Sequence, residues 1–312
     1  MMMISSMMCF MMNSWIMIWV MLEINTLAFC SLMKTFSSKK KEMSESAMKY
    51  FIIQSISSSM LIFTSLCIKS VNNLTKSLMM VAVMSLMIKV GSTPFHQWFV
   101  NIVKKMMWKN NTILMTWQKL APVYLIMYQI KFMILPFIML SSIIGALMQM
   151  NKKNSLEIMG FSSVFNLSWM MLAMIMNTYI FLVFCFIYWT AVIIVMIMLK
   201  NMKMENILTE KSMEMKKWMI LTVMINLGGI PPMAGFVSKW LVFSESIKHN
   251  MLTIVTFLLV TSSINLYIYM RLTNNQIMKN TLKSTKMPAQ PKKMFYTMII
   301  LMNSMPLIML SF

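Results

Sequence analysis

Apolar runs succeed one another along almost the whole chain, at about 1–33, 50–68, 77–103, 111–130, 132–150, 154–176, 178–199, 218–247, 251–270 and 294–312, with short Lys- and Asn-rich gaps between them. A bilayer core about 30 Å thick takes roughly 20 apolar helical residues per crossing. The chain therefore reads as an all-α polytopic membrane protein of about ten transmembrane helices. It forms a single transmembrane domain over residues 1–312, with no room for a soluble domain beside it. Two breaks are shallow, at Lys131 and at Asn177–Thr178, and the first run is long for one helix and short for two.

Charge tests the count, because Lys and Arg gather in the short loops that are not translocated. With ten alternating spans, one side collects 21 basic residues, in loops that include Lys34 to Lys49, Lys104 to Lys109, Lys152–Lys153, Lys200 to Lys217 and Arg271 to Lys293. The other side holds four, Lys69, Lys76, Lys131 and Lys248. Without the turn at Lys131 the same loops divide 9 against 15 and the bias is lost. On this reading the loops 34–49 and 271–293 lie on the side that is not translocated.

Composition narrows the class further. Only 12% of the 312 residues are charged, against about a quarter in soluble domains, and mean hydropathy is +0.70. The 48 Met residues suit an A+T-rich genome read with an extra Met codon, as in animal mitochondria. A net charge of +20 could suggest nucleic acid, yet the basic residues sit in gaps between apolar runs rather than in an aromatic-lined groove. Orientation in a membrane explains them, and no nucleic-acid partner is expected. Four scattered cysteines, Cys9, Cys30, Cys67 and Cys185, offer neither an iron–sulfur nor a zinc pattern, and no Gly-rich nucleotide fingerprint is present.

Three basic residues fall outside the loops and inside spans: Lys89, Lys119 and Lys239. Glu23 joins them, within "WVMLEINTLAF". A charge at the centre of a spanning helix costs about 2.5 to 3.5 kcal/mol on insertion scales, so such groups face a bundle interior or a wet cavity. Burial disfavours the charged form of either residue type and a nearby opposite charge restores it. A Glu and a Lys that approach and separate therefore exchange protons with a water chain. Singly, each lysine could instead snorkel to an interface along its four-carbon stem.

Helix breaks accompany these charges. In "KVGSTPFHQWF", Gly91 lets the backbone turn, and Pro94, without an N–H, frees the carbonyl of Val90. "NLGGIPPMAGFVSKW" breaks its span more heavily, with Gly228, Gly229, Pro231 and Pro232 before Lys239. Unpaired backbone at membrane depth is tolerated only inside protein or along a water-filled cavity, and paired discontinuous helices mark ion paths in transporters. Lys119 lies in "LMTWQKLAPVYL", flanked by Trp117 and Gln118 and followed by Pro122, which is expected to disturb that helix again. His96 either relays protons, its ordinary pKa being near neutrality, or hydrogen-bonds to backbone at the interface. Glu45, Glu157, Glu205, Glu210 and Glu214 accompany loop lysines and are expected to pair or solvate there.

Five segments, "MSESAMKYFIIQ", "KVGSTPFHQWF", "ILMTWQKLAPVYLI", "MGFSSVFNLSWM" and "NLGGIPPMAGFVSKW", resemble in the same order the landmark segments of the chain 2 family of mitochondrial NADH–ubiquinone oxidoreductase (NADH dehydrogenase subunit 2). These are antiporter-like subunits of the respiratory complex I membrane arm. The likeness covers most of residues 13 to 245.

It implies an antiporter-like inverted-repeat fold with two discontinuous helices, N-terminally truncated relative to bacterial relatives. It also implies proton translocation across the mitochondrial inner membrane, driven by electron transfer from NADH to ubiquinone elsewhere in the complex. Residue by residue, the axis glutamate matches Glu23, the lysine of the first broken helix Lys89, the central lysine Lys119 and the lysine after the second break Lys239. The partners implied are other membrane-arm subunits and inner-membrane lipids. NADH, FMN, iron–sulfur clusters and ubiquinone are expected to belong to the complex, with no cofactor or metal on this chain and no catalytic activity of its own. Three segments depart from the family pattern: Val100–Asn101 stand for Pro-Glu, Asn166 and Ser168 for the His and Gly of S-S-x-x-H-x-G-W, and Ser238 for Pro. Two other functions share the residue pattern, a stand-alone cation/proton antiporter of the related fold and a membrane-arm spacer that has lost conduction.

Overall fold

Every described element of the computed structural model is a helix. In an apolar medium a helix pairs its own backbone groups along its length, which is why runs of this kind settle as helices. The structure describes residues 1–35, 40–70, 75–127, 131–204, 221–231 and 233–281. The tenth apolar run, 294–312, and Glu205, Glu210, Glu214 and Pro232 lie outside the described residues.

The first run divides at Met12–Ser14 into α1 (Met2–Met11) and α2 (Trp15–Thr35). At 10 residues α1 extends only about 15 Å, half a bilayer core, whereas α2 is long enough to cross. Then follow α3 (Lys40–Ser70), α4 (Thr75–Val90), α5 (Gln97–Lys105), α6 (Trp108–Met115), α7 (Trp117–Ile126), α8 (Lys131–Met150), α9 (Ser155–Met176) and α10 (Thr178–Met204). After these come α11 (221–228), α12 (Ala234–Lys248) and α13 (Leu252–Thr281). Among the described residues six helices, α2, α3, α8, α9, α10 and α13, are long and apolar enough to span. Three further apolar stretches are interrupted, between α4 and α5, α6 and α7, and α11 and α12.

The helices gather into two compact units. The first comprises residues 1–145 and 156–175 and the second residues 146–155 and 176 onward. In the first, α9 is buried along its whole spanning length. Small residues allow this: at Gly145 the backbone of α8 comes so near that an added Cβ would lie 2.9 Å from the backbone N of Phe165, and at Gly160 α9 receives Val100 and Val103 of α5. The short α1 packs beside α7, through the Phe10 and Tyr124 rings 4.7 Å apart and an indole N–H of Trp117 donated to Ser6 at 2.7 Å. In the second unit α12 packs against α10 and α13.

Candidate functional site beside the first helix break

In the last turn of α4 the backbone stops being helical in a defined way. Gly91 takes φ +74°, a left-handed conformation that suits glycine. Its amide returns to the carbonyl of Ile88 at 3.2 Å and that of Ser92 to Met87 at 3.1 Å, closing the helix end. Two side chains take further carbonyls of that turn: the Trp98 indole donates to Ile88 at 3.1 Å and the Gln54 amide to Lys89 at 3.1 Å. Lys89 itself is 4% exposed, and among the described residues its ammonium has no hydrogen-bond partner.

Lys89 lines a cavity of about 20 Å³, room for one water. Lys119 of α7 lines the same cavity, together with Asn25 and Thr26 of α2 and Tyr50 of α3. The site therefore brings together two of the lysines singled out by sequence. Lys119 is 3% exposed; its Nζ donates to the carbonyl of Ser163 at 3.1 Å and stands 4.7 Å over the Phe99 ring, a cation–π contact. Asn25 and Gln118 exchange amide hydrogen bonds at 3.1 and 3.3 Å, and the Tyr50 hydroxyl donates to Gln118 at 3.3 Å. Hydrogen-bonded polar side chains thus share the cavity wall with Leu22, Val90, Phe99, Leu114 and Pro122.

Glu23, half-buried on α2, accepts from the Ser58 hydroxyl through one carboxylate oxygen and from Thr26 at 3.4 Å through the other. Among the described residues no direct ion pair joins it to Lys89. Sequence reading missed Asn25, Tyr50, Gln54 and Ser58. One signal was available: Tyr50, Gln54 and Ser58 stand four residues apart on α3, which puts them on one face.

The expected disturbance at Pro122 lies elsewhere. The chain breaks six residues earlier, at Thr116 with φ −110° and ψ −81°, and Pro122 sits inside α7. Since α7 restarts at Trp117, the proline removes only the partner of the Gln118 carbonyl and the helix continues past it. His96 caps the start of α5 and is 8% exposed. Its Nδ1 lies 3.2 Å from the Pro94 carbonyl. A carbonyl only accepts, so Nδ1 carries the proton and donates. The backbone-bonded arrangement is the one observed.

An acid also stands near the end of α5, where the family's Pro-Glu is replaced by Val100–Asn101. Glu157, in the first turn of α9, pairs with Lys104 of α5 at 2.9 Å. Asn166 donates to the Ser162 carbonyl of its own helix at 3.0 Å.

The second unit repeats the break. Gly229 takes φ +80°, its amide returns to Asn226 at 3.1 Å, and that of Ile230 returns to Ile225 at 3.5 Å. Here the lysine comes from the far side: Lys239 of α12, 7% exposed, donates from Nζ to the carbonyl of Gly228 at 2.6 Å. Residue 232, four positions after Gly228, is proline and has no N–H for that carbonyl. The Asn226 side chain accepts from the Gly235 amide at 2.6 Å, tying α11 to α12. Among the described residues no three His, Cys, Asp or Glu side chains gather as a metal site would require, and Cys9, Cys30, Cys67 and Cys185 form no disulfide there.

Residues 12–265 match the family model described as NADH:quinone oxidoreductase/Mrp antiporter, transmembrane. A relative from Anopheles gambiae, NADH-ubiquinone oxidoreductase chain 2, is 35% identical over 88% of this chain and 83% of its own length. The chain belongs to the chain 2 family. The same-named protein of Viverra tangalunga is 32% identical over 95% of this chain and 90% of its own. A chain of respiratory complex I from Thermus thermophilus superposes with a TM-score of 0.75 at 18% identity, over 92% of this chain and 70% of that one. An antiporter-like helical membrane fold, expected from the motifs, is therefore the fold of this chain 2 protein.

Proposed function

We propose that the chain is a membrane-arm subunit of NADH:ubiquinone reductase, complex I, and carries protons through the inner membrane along Glu23, Lys89, Lys119 and Lys239. One observation carries the reading: buried Lys89, whose ammonium has no hydrogen bond among the described residues, lines a water-sized cavity together with buried Lys119. A fully buried cation is tolerated where it is paired or hydrated. A water between Lys89 and Lys119 gives the proton a way across, and closer approach of Glu23 to Lys89 holds the proton on Lys89 until that approach is relaxed. Redox groups and quinone then belong to other subunits, to which the four separate thiols contribute no cluster. Lys-rich loops 34–49 and 271–293 face the matrix, and neighbouring membrane-arm subunits and lipids cover the exposed apolar side chains. His96, bonded to backbone through Nδ1, keeps Nε2 for a relay.

The test is Lys89→Met in the assembled complex, with proton translocation measured per NADH oxidised. Translocation is expected to fall with assembly intact; unchanged translocation overturns the reading. Because the matched family also spans Mrp antiporters, a native gel decides the other possibility. Migration as a single-subunit band without NADH oxidation would make the chain a stand-alone antiporter.

A further inference from the structure

The second unit contains buried polar groups that the Glu23–Lys239 axis does not use. On α13, Thr261, Asn265, Tyr269 and Thr273 are all buried and stand four residues apart, so they form one polar face. Asn265 is 1% exposed, and neither atom of its amide has a hydrogen-bond partner among the described residues. Its neighbour Leu266 packs on Gly228, whose carbonyl receives the Lys239 ammonium. From Asn265 the face runs about 12 Å along the helix to Thr273.

Beside that end, Arg271 donates to the carbonyls of Met150 at 2.5 Å and Lys152 at 3.4 Å. Gln149, next to Met150, is fully buried, and both atoms of its amide also lack partners among the described residues. Two buried amides, each with both atoms unpaired among the described residues, are costly in a dry interior. Hydrated, they are ordinary, since buried waters bond polar groups that protein leaves unpaired.

We propose that the Asn265–Tyr269–Thr273 face of α13 is a hydrated proton line joining Lys239 to the end of the helix that carries Arg271. Asn265 and Gln149 are its water-holding groups. The amides do not gain or lose the proton; each orients a water that does. The hydroxyls of Thr261 and Thr273 donate to their own helix carbonyls at 3.0 and 2.8 Å, which leaves their oxygens free to accept from water. This line rests on the proposed function, because it begins at Lys239.

In the assembled complex, Asn265→Leu is expected to lower proton translocation several-fold with the subunit still present on a native gel. Asn265→Ser, which leaves room and a hydroxyl for water, is expected to retain most of it. Lys239→Met, measured alongside, separates the two readings. If Lys239→Met impairs translocation and Asn265→Leu does not, the α13 line falls and the axis stands. If neither matters, both fall. Should Asn265→Leu fail to assemble, a water-resolving density map of the unmodified complex decides: a water bonded to the Asn265 amide supports the line. A side chain of residues 294–312 in that place, or a dry contact, overturns it.

Discussion

The two helix breaks use one backbone device for two different charge arrangements. Each upstream helix closes on a glycine at positive φ, Gly91 at +74° and Gly229 at +80°, with the same pair of amides folding back. At the first break the lysine precedes the glycine; its carbonyl is held by Gln54, its ammonium has no hydrogen bond among the described residues, and the residue lines the cavity. At the second the lysine follows the glycine, and its ammonium reaches back to Gly228 across the gap. The break supplies unpaired carbonyls in both places. Which group takes them decides whether the lysine is available for exchange or held.

The largest expected effects come from removing the two lysines. On the proposed reading Lys89→Met deletes a proton carrier and, among the described residues, no hydrogen bond, so translocation should fall roughly a hundredfold, the low end for a positioned acid–base group, with the subunit as stable as before. Lys239→Met should lower translocation too, and it also orphans the Gly228 carbonyl, destabilising the chain by about 1–3 kcal/mol. Thermal unfolding of the two variant complexes beside pumping assays makes the comparison; equal stability would show that the second lysine is not a clamp.

Gly235 belongs to the second break alone. An added Cβ there would overlap the carbonyl oxygen of Asn226, a backbone atom that cannot swing away. Gly235→Ala is expected to cost about 1–3 kcal/mol or more, as overpacking does. Subunit abundance in the assembled complex reads it, and normal abundance would mean that α11 and α12 separate more easily than the Asn226 link implies.

The cap glycines should part company next. Both Gly91→Ala and Gly229→Ala place a side chain at left-handed φ, at about 1–2 kcal/mol. At Gly91 the new Cβ meets the Phe99 Cβ at 3.0 Å, a position set by the packing of α5, whereas at Gly229 it meets the Lys239 ammonium, also at 3.0 Å. A flexible side chain yields, so Gly229→Ala should lose pumping beyond its loss of stability. Gly91→Ala should show the loss of stability first. The same ratio of the two losses in both variants would erase the distinction.

What was legible in the sequence follows from the same contrast. Lys89, Lys119, Lys239 and Glu23 stand out because a charge in an apolar run is costly, and Gly91, Pro94, Gly228, Gly229 and Pro231 because they punctuate a helix. The neutral groups that complete the cavity, Asn25, Tyr50 and Gln54, hardly alter hydropathy and were passed over. The break at Thr116 leaves no glycine or proline signature, since its nearest proline lies six residues on, inside α7. Nor could sequence separate α9 from α2: both are apolar enough to span, yet α9 is wholly buried and α2 about one-third buried. Hydropathy reports distance from water, and protein and lipid count alike in it.

The smallest effect bears on how the second half of each broken helix is held. α12 is tied to its own first half, through Asn226 and Lys239. α5 leans on a different helix, with Val100 and Val103 against Gly160, His96 beside Phe161 and Lys104 paired to Glu157. In that pair the lysine side chain is 56% exposed and the glutamate 11%, so solvent screens much of the attraction and its coupling should stay near about 0.5–1 kcal/mol. A double-mutant cycle with Lys104→Met and Glu157→Gln measures it by thermal unfolding. The charge-swapped pair, Lys104→Glu with Glu157→Lys, should recover most of the stability, because attraction between the two sites survives the exchange. If the swap restores stability but not translocation, Glu157 does more than hold α5. Zero coupling would leave Gly160 packing as the main support of α5, and the first break would then be the looser of the two.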